Sequence, residues 1–193
     1  MLEVMLDNDR VVGGDDYFLT VVDIVKRIIS SLNPEEVLTY LTESVTKAMH
    51  AKAASVRLLN QDGTRLEMRA VYGLSESYLN KGPVELARSA IDRHILEGNV
   101  TQLEDVRRDA TFQYPDEARA EGIVSLASAP LIAHDRPIGV LRVYSGEPRR
   151  FTHVETRFLE AVAELAALAL HNASLYERLK SDHHDLIDIF MPG

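Results

Sequence analysis

The sequence predicts an α+β domain, with helices at both ends of the chain stacked on an antiparallel sheet built from its middle. Three observations carry this. Apolar residues recur by threes and fours from Asp16 and again from His153. Between them lie two hairpin signals, apolar runs turned by Asn60-Gln61-Asp62-Gly63 and by His134-Asp135-Arg136. Finally, from Phe158 the steps to Val162, Leu165, Ala169, Asn172, Tyr176 and Leu179 alternate four and three, a heptad seam along one long helix.

Residues 1–14 hold Asp7, Asn8, Asp9, Gly13 and Gly14 with little periodicity and are read as a flexible tail before a domain over 15–180. Phe18, Val21, Val25, Ile28 and Leu32, widened by Val22 and Ile29, predict an amphipathic helix ending near Ser31. Asn33-Pro34-Glu35-Glu36 restarts the chain. Asn33 is placed to cap, Pro34 takes the first helical position, and two carboxylates sit at the positive end of the helix dipole. Val37, Leu41, Val45 and Ala48 give this second helix its buried face.

Strands are predicted over Ala53 to Leu59 and Arg65 to Tyr72, the second with Leu66, Met68, Ala70 and Tyr72 on one face. Gly82-Pro83 breaks the chain, and Ser89 with Asp92 three residues on reads as the cap of a short helix ending at Gly98. A brief strand follows over Val100 to Leu103. The polar stretch from Asp105 to Gly122, with Pro115 opening about two helical turns, has the length of a binding lid. Ile123 to Ala133 and Pro137 to Tyr144 are apolar almost without alternation, so both faces of that hairpin are expected to be covered.

The last helix has a second stripe, Leu159, Ala163, Ala166, Leu170 and Ala173, beside its seam. A helix apolar on two sides can pack on its own domain and on a partner. From His153 to Lys180 it would be roughly 42 Å long, with 181–193 as a C-terminal tail. Phe18, Val21, Val25 and Ile28 on the first helix, with Val162, Leu165, Ala169, Asn172, Tyr176 and Leu179 on the last, are the residues expected to dimerise the chain. Asn172 would set register in that seam. The seam by itself leaves open whether the pairing is parallel or antiparallel.

Composition narrows the function. The formal charge of -9 argues against nucleic acid, since no compact basic face offsets it. No apolar run approaches the roughly 18 to 20 residues of a membrane span, and the start lacks a signal pattern, so a cytoplasmic location is expected. The chain has no cysteine, hence no disulfide, thiol nucleophile or zinc-thiolate site. No metal site is expected either: His183-His184-Asp185 puts adjacent side chains in different directions on a helix.

Several segments together resemble the GAF domain family of small-molecule sensor modules: Ala54-Ser55-Val56-Arg57-Leu58-Leu59, Asn99-Val100 leading to Asp105-Val106, Gly122-Ile123, Ser128-Ala129-Pro130-Leu131, Ile138-Gly139-Val140-Leu141, and Phe151-Thr152 with Glu155, Phe158-Leu159 and Asn172-Ala173. The ordered match covers about 16–178. The resemblance implies a central antiparallel sheet of five or six strands, terminal helices on one face, and a ligand pocket under short helices and loops on the other. It also implies a parallel helical bundle in a homodimer; a signalling partner such as a kinase or regulator belongs to the alternative in which the pocket is closed and the helices dock a protein. Covalent bilin attachment, and the methionine sulfoxide reductase activity of one enzymatic branch, both need cysteine and are excluded. Asn80-Lys81 and Phe112 with Asp116-Glu117 fit the cyclic-nucleotide motif in letters only. In the family that motif lies between the last strand and the C-terminal helix, where this chain reads Val143-Tyr144-Ser145 and Phe151-Thr152-His153-Val154-Glu155. Cyclic nucleotide is therefore not expected, and the ligand's identity is open.

Candidate ligand-binding residues are Tyr72, Ser89, Ile91, His94, Tyr114, Ser125 and Arg142. His94 on the short helix could ligate or hydrogen-bond a ligand, against the plainer reading of a half-buried polar side chain. Arg142 and Arg57 lie in strands expected to be covered, and a covered arginine needs a carboxylate from the protein or from a ligand. No paired general acid and base can be placed together, so no enzyme activity is expected. Two functions remain: a dimeric sensor that binds a small molecule, or a ligand-free dimerisation module that docks a signalling protein.

Overall fold

The computed structural model describes the backbone of residues 14–31 and 33–190, and the side chains of 16–31 and 33–176. Its elements are α1 (Gly14–Ser30), α2 (Pro34–Ala48), β1 (Ala53–Leu59), β2 (Arg65–Tyr72), α3 (Glu76–Leu79), β3 (Val84–Glu85), α4 (Ala90–Leu96), β4 (Thr101–Leu103), α5 (Pro115–Glu121), β5 (Ser125–Ala133), β6 (Arg136–Ser145) and α6 (His153–Phe190). The strands form one six-stranded sheet in the order β3-β2-β1-β6-β5-β4, every pairing antiparallel.

Local chemistry sets several boundaries. Asn33 Oδ1 accepts from the Glu35 and Glu36 amides and starts α2. In the β1–β2 turn Gly63 takes φ +67°, and Asn60 Oδ1 accepts from the Thr64 and Arg65 amides. His134 and Asp135 both take positive φ, the two-residue turn whose twist matches an antiparallel pair. α1, α2 and α6 cover one face of the sheet, burying Ile24, Leu41, Val45, Val56, Leu141, Leu159 and Val162. Within this layer α1 and α6 run parallel. Tyr17 stacks on Phe158 at 4.4 Å near the start of both helices, and Ile28 and Ile29 share a groove with Asn172 and Leu175 near the other end of α1. The opposite face carries α3, α4, α5 and their loops over Leu66, Ile95, Ile123, Leu126 and Tyr144.

The structure corrects several expectations. β2 does not keep one apolar face. Val56 pairs with Ala70 but Arg57 with Met68, so Arg69 is a bulge that flips the strand's alternation. Leu66 and Met68 point to the α3–α5 side, while Ala70 and Tyr72 point to the helix-covered side. The short α3 and β3 were not legible beforehand, since four- and two-residue elements leave no periodicity. α6 continues past Lys180 to Phe190 through the stretch read as a tail, because no glycine or proline interrupts it before Pro192. The segment expected as an N-terminal tail lies outside the described residues except for Gly14, which opens α1.

The seam on α6 is also rotated. Val162 and Ala169 are buried in the domain's own core. Leu165 is partly buried against that core, and the outward positions are Ala161, Leu168, Asn172 and Leu175, at heptad-compatible steps of seven, four and three. Likewise Val21 and Ile28 of α1 pack inward, beside buried Tyr17 and Ile24, and the outward stripe is Phe18, Val22, Val25 and Ile29. Leu32 and the Leu179 side chain lie outside the described residues. Last, by length and composition His153–Tyr176 is apolar enough to cross a membrane, with a mean hydropathy of 1.2. Its inner face, from Phe158 to Ala169, is part of the core.

Candidate functional site

On the α3–α5 side, the polar residues of three adjacent strands meet in one place. Ser55, Arg142 and Ser128 are direct cross-strand neighbours on β1, β6 and β5, with Arg57 two residues further along β1. Arg142 is 2% exposed. Its Nη2 donates to Asp92 Oδ1 of α4 at 2.7 Å and its Nε to Ser128 Oγ at 2.7 Å, while Ser89 Oγ donates to Asp92 Oδ2 at 2.6 Å. Ser89 thus serves the carboxylate and leaves the helix amides uncapped by its side chain. Every oxygen of this buried pair has a partner, which burial of charge demands.

Arg57 is different. It is 3% exposed, and its Nη1 donates to Tyr144 Oη at 2.8 Å and Ser55 Oγ at 3.3 Å. Among the described residues no carboxylate forms an ion pair with it. Burial works against its charge, but Tyr144 and Tyr78 outweigh this and hold its pKa above the ordinary value. Conversely, burial would push the Tyr144 phenol up, and the Arg57 and Arg142 cations bring it down. Lys81, in the segment between α3 and β3, lies with Nζ 4.0 Å from the Tyr114 ring centre and 4.9 Å from that of Tyr78.

These side chains line a cavity of only about 10 Å³, bounded by Arg57, Tyr78, Lys81, Asp92, Gln113 and Arg142. That is room for about one water. Gln113 Oε1 accepts from the Glu85 amide at 2.8 Å, while its Nε2 is buried without a partner. Outside, Arg57, Tyr78 and Lys81 also line an open recess of about 400 Å³ with Met68, Leu79 and Gly82. Tyr114 Oη donates to the Pro83 carbonyl at 2.7 Å and so closes the Gly82-Pro83 corner between the two spaces. Gly82 takes φ +94°, a conformation other residues rarely adopt.

Lys81 gives the site a pH signature. Burial, then Arg57 and Arg142, lower its pKa from 10.5 to about 7. In the unfolded chain the amine stays protonated up to about 10.4. Between these values the unfolded state binds more protons, so this group makes stability rise with pH from about 7 to about 10. Below about pH 7 both states carry the charge, and its burial cost is present in full. Lys81→Met is expected to raise the melting temperature at pH 6 and to flatten the rise above pH 7, as measured by thermal unfolding across pH. An unchanged slope in the variant would mean the amine is not buried as described.

Of the expected ligand residues, Ser89, Tyr114 and Arg142 meet at this cavity. Ile91 is buried in the apolar cluster near them but not in the cavity wall. His94 turns to solvent and pairs with Glu97 at 3.1 Å, because α4 buries its Ile91, Asp92 and Ile95 side instead. Tyr72 lies on the helix-covered face, turned there by the bulge. Ser125 shares the face of Ala127 and Ala129, and its Oγ donates to the Glu147 carbonyl at 2.7 Å. Tyr78, Lys81, Asp92, Gln113, Ser128 and Tyr144 were missed as site residues. The covered arginines were the available signal, since each asks for partners, and Asp92 between Ile91 and Ile95 was a carboxylate placed to be buried. Among the described residues no His, Cys, Asp or Glu cluster could hold a metal ion.

The comparisons with known proteins agree with this architecture. Two curated relatives, formate hydrogenlyase transcriptional activators from two strains of Salmonella typhimurium, are 22% identical over 188 residues, covering 95% of this chain and 27% of each relative. The chain thus spans about a quarter of their length. The GAF domain of a phosphoenolpyruvate-protein phosphotransferase from Coxiella burnetii superposes with a TM-score of 0.77 at 17% identity, over 86% of this chain and 99% of that one. Free methionine-R-sulfoxide reductase from Neisseria meningitidis superposes with a TM-score of 0.71 at 14% identity, over 84% and 93%. At these identities both superpositions speak for the fold alone. The sequence profile described as GAF domain matches residues 31–171, and with this sheet order, helix layer and covered polar cavity the chain belongs to the GAF domain family, whose members are in general sensor and regulatory signalling modules.

Proposed function

We propose that the chain is a cytoplasmic sensor module that takes a small molecule at the Arg57–Lys81 cavity and pairs with a second copy through α1 and α6. The observation that carries this is the convergence of buried polar and charged side chains from β1, β6, β5 and α4 under a closable corner. A plain core would fill that space with apolar side chains, since each buried polar group costs free energy unless satisfied. The signalling role and the name of the curated relatives, transcriptional activators, support a regulatory and non-enzymatic part in a larger response. A kinase or transcription regulator is the expected partner. A ligand would act by binding one arrangement of the paired helices better than another.

The second copy is favoured by the outward stripes. Phe18 is 67% exposed, Ile29 81%, Leu168 48% and Leu175 44%, all on two parallel helices of one layer. A groove of about 370 Å³ opens where they meet, lined by Ile28, Ile29, Pro34, Asn172, Leu175 and Tyr176. A two-fold copy would cover both stripes at once and give Asn172 an amide partner. Leu168→Glu is expected to convert a dimer to a monomer at micromolar concentration in sedimentation, to lower the melting temperature by the coupling lost with the dimer, and to leave the far-UV circular dichroism unchanged. A monomeric parent protein would overturn the pairing.

The small cavity favours one rival, an interaction module that binds no ligand. A small molecule copurifying at one per chain would exclude it.

A further inference from the structure

We propose that the cavity is a receptor for a small oxyanion, a carboxylate or phosphate group held between Arg57, Lys81 and Gln113; this rests on the ligand-pocket reading above and names its chemistry. The cavity's charges do not balance. Two guanidiniums and one amine line it, against the single carboxylate of Asp92. That carboxylate is already taken by Arg142 and Ser89. Among the described residues Arg57 is left with hydroxyl partners only. Gln113 Nε2 is a buried donor with no acceptor, its carbonyl end fixed by the Glu85 amide. Three donors therefore line one space whose only carboxylate among the described residues is already engaged, and a planar or tetrahedral oxyanion supplies acceptors and charge together.

The surroundings limit the ligand's size and route. The closed cavity takes about one water, so the anionic head must enlarge it by opening the corner, and any remainder extends into the recess beside Met68, Leu79 and Gly82. The other charged residues of that recess, Arg65 and Glu67, are paired with each other at 3.1 Å. Entry requires the Tyr114 to Pro83 hydrogen bond to open. A carboxylate or phosphate group is larger than one water, so seating it moves the α3–β3 segment outward while Lys81 and Gln113 turn to hold it.

The test titrates the full chain with sodium acetate, sodium succinate and sodium phosphate, and with acetamide and succinamide as neutral counterparts, at constant ionic strength. The readouts are calorimetry and tyrosine fluorescence, since the chain has no tryptophan and Tyr78 and Tyr114 line the cavity. At least one of the anions is expected to bind saturably at one site per chain, with no binding by the amides. Arg57→Met should weaken that binding by about tenfold or more, and Arg57→Lys by much less. Lys81→Met, at a less buried position, should also weaken it by several-fold and guards against a folding defect in the Arg57 variant. No saturable binding by any of the three anions overturns the proposal. So does equal binding of the amides, although that result would leave a ligand pocket in place.

Discussion

Asp92→Ala is expected to destabilise the domain by about 3 to 5 kcal/mol, because it leaves the buried Arg142 guanidinium without its counter-charge. Both partners are almost fully buried and meet at 2.7 Å, so water cannot replace the lost carboxylate without opening α4 from the sheet. The size of the effect comes from the stranded charge, and a second substitution separates that from loss of packing. Asp92→Leu combined with Arg142→Met removes both charges and should recover most of the stability in urea unfolding. If the single variant lost less than about 1 kcal/mol, the ion pair would have to be solvated.

Gly139→Ala is expected to cost about 3 kcal/mol, at the upper end for an overpacked core. A Cβ at this position would stand 2.3 Å from the Arg57 carbonyl oxygen and 2.8 Å from Leu58 Cδ2. The first neighbour is backbone of the central β1 strand and cannot swing away. Strand β1 would have to move off β6, carrying Arg57 away from Tyr144. The variant should therefore lose anion binding as well as stability, whereas Gly63→Ala, which meets open space at φ +67°, should show only the smaller strain of its turn. Thermal unfolding and titration of the two variants side by side distinguish the cases.

Much of the fold was legible because its larger elements obey simple periods. The Asn33-Pro34 start of α2, the Asp62-Gly63 turn and the unalternating β5–β6 hairpin all carry their instructions locally. The bulge at Arg69 does not, since an extra residue in one strand appears only when its partner strand is in place. That single residue moved Tyr72 to the wrong side of the sheet. The helix seams were half legible: a heptad shows that two faces are apolar, but which one meets the core depends on the sheet beneath, and Val162 and Ala169 went inward.

The site was less legible than the fold. Its groups come from Ser55, Lys81, Asp92, Gln113, Ser128 and Tyr144, far apart in the chain and each ordinary in its own neighbourhood. The need of a covered arginine for a partner was visible in the sequence; that Arg142 finds one in Asp92 while Arg57 does not was a matter of tertiary geometry. Arg57 is the residue on which the functional account turns.

Native mass spectrometry of freshly purified protein tests that account most directly. It predicts a dimer carrying one small bound mass per chain, released by acid and absent from the Arg57→Met protein prepared in the same way. A monomer, or a dimer without any bound mass, would contradict it and place the ligand-free interaction module ahead.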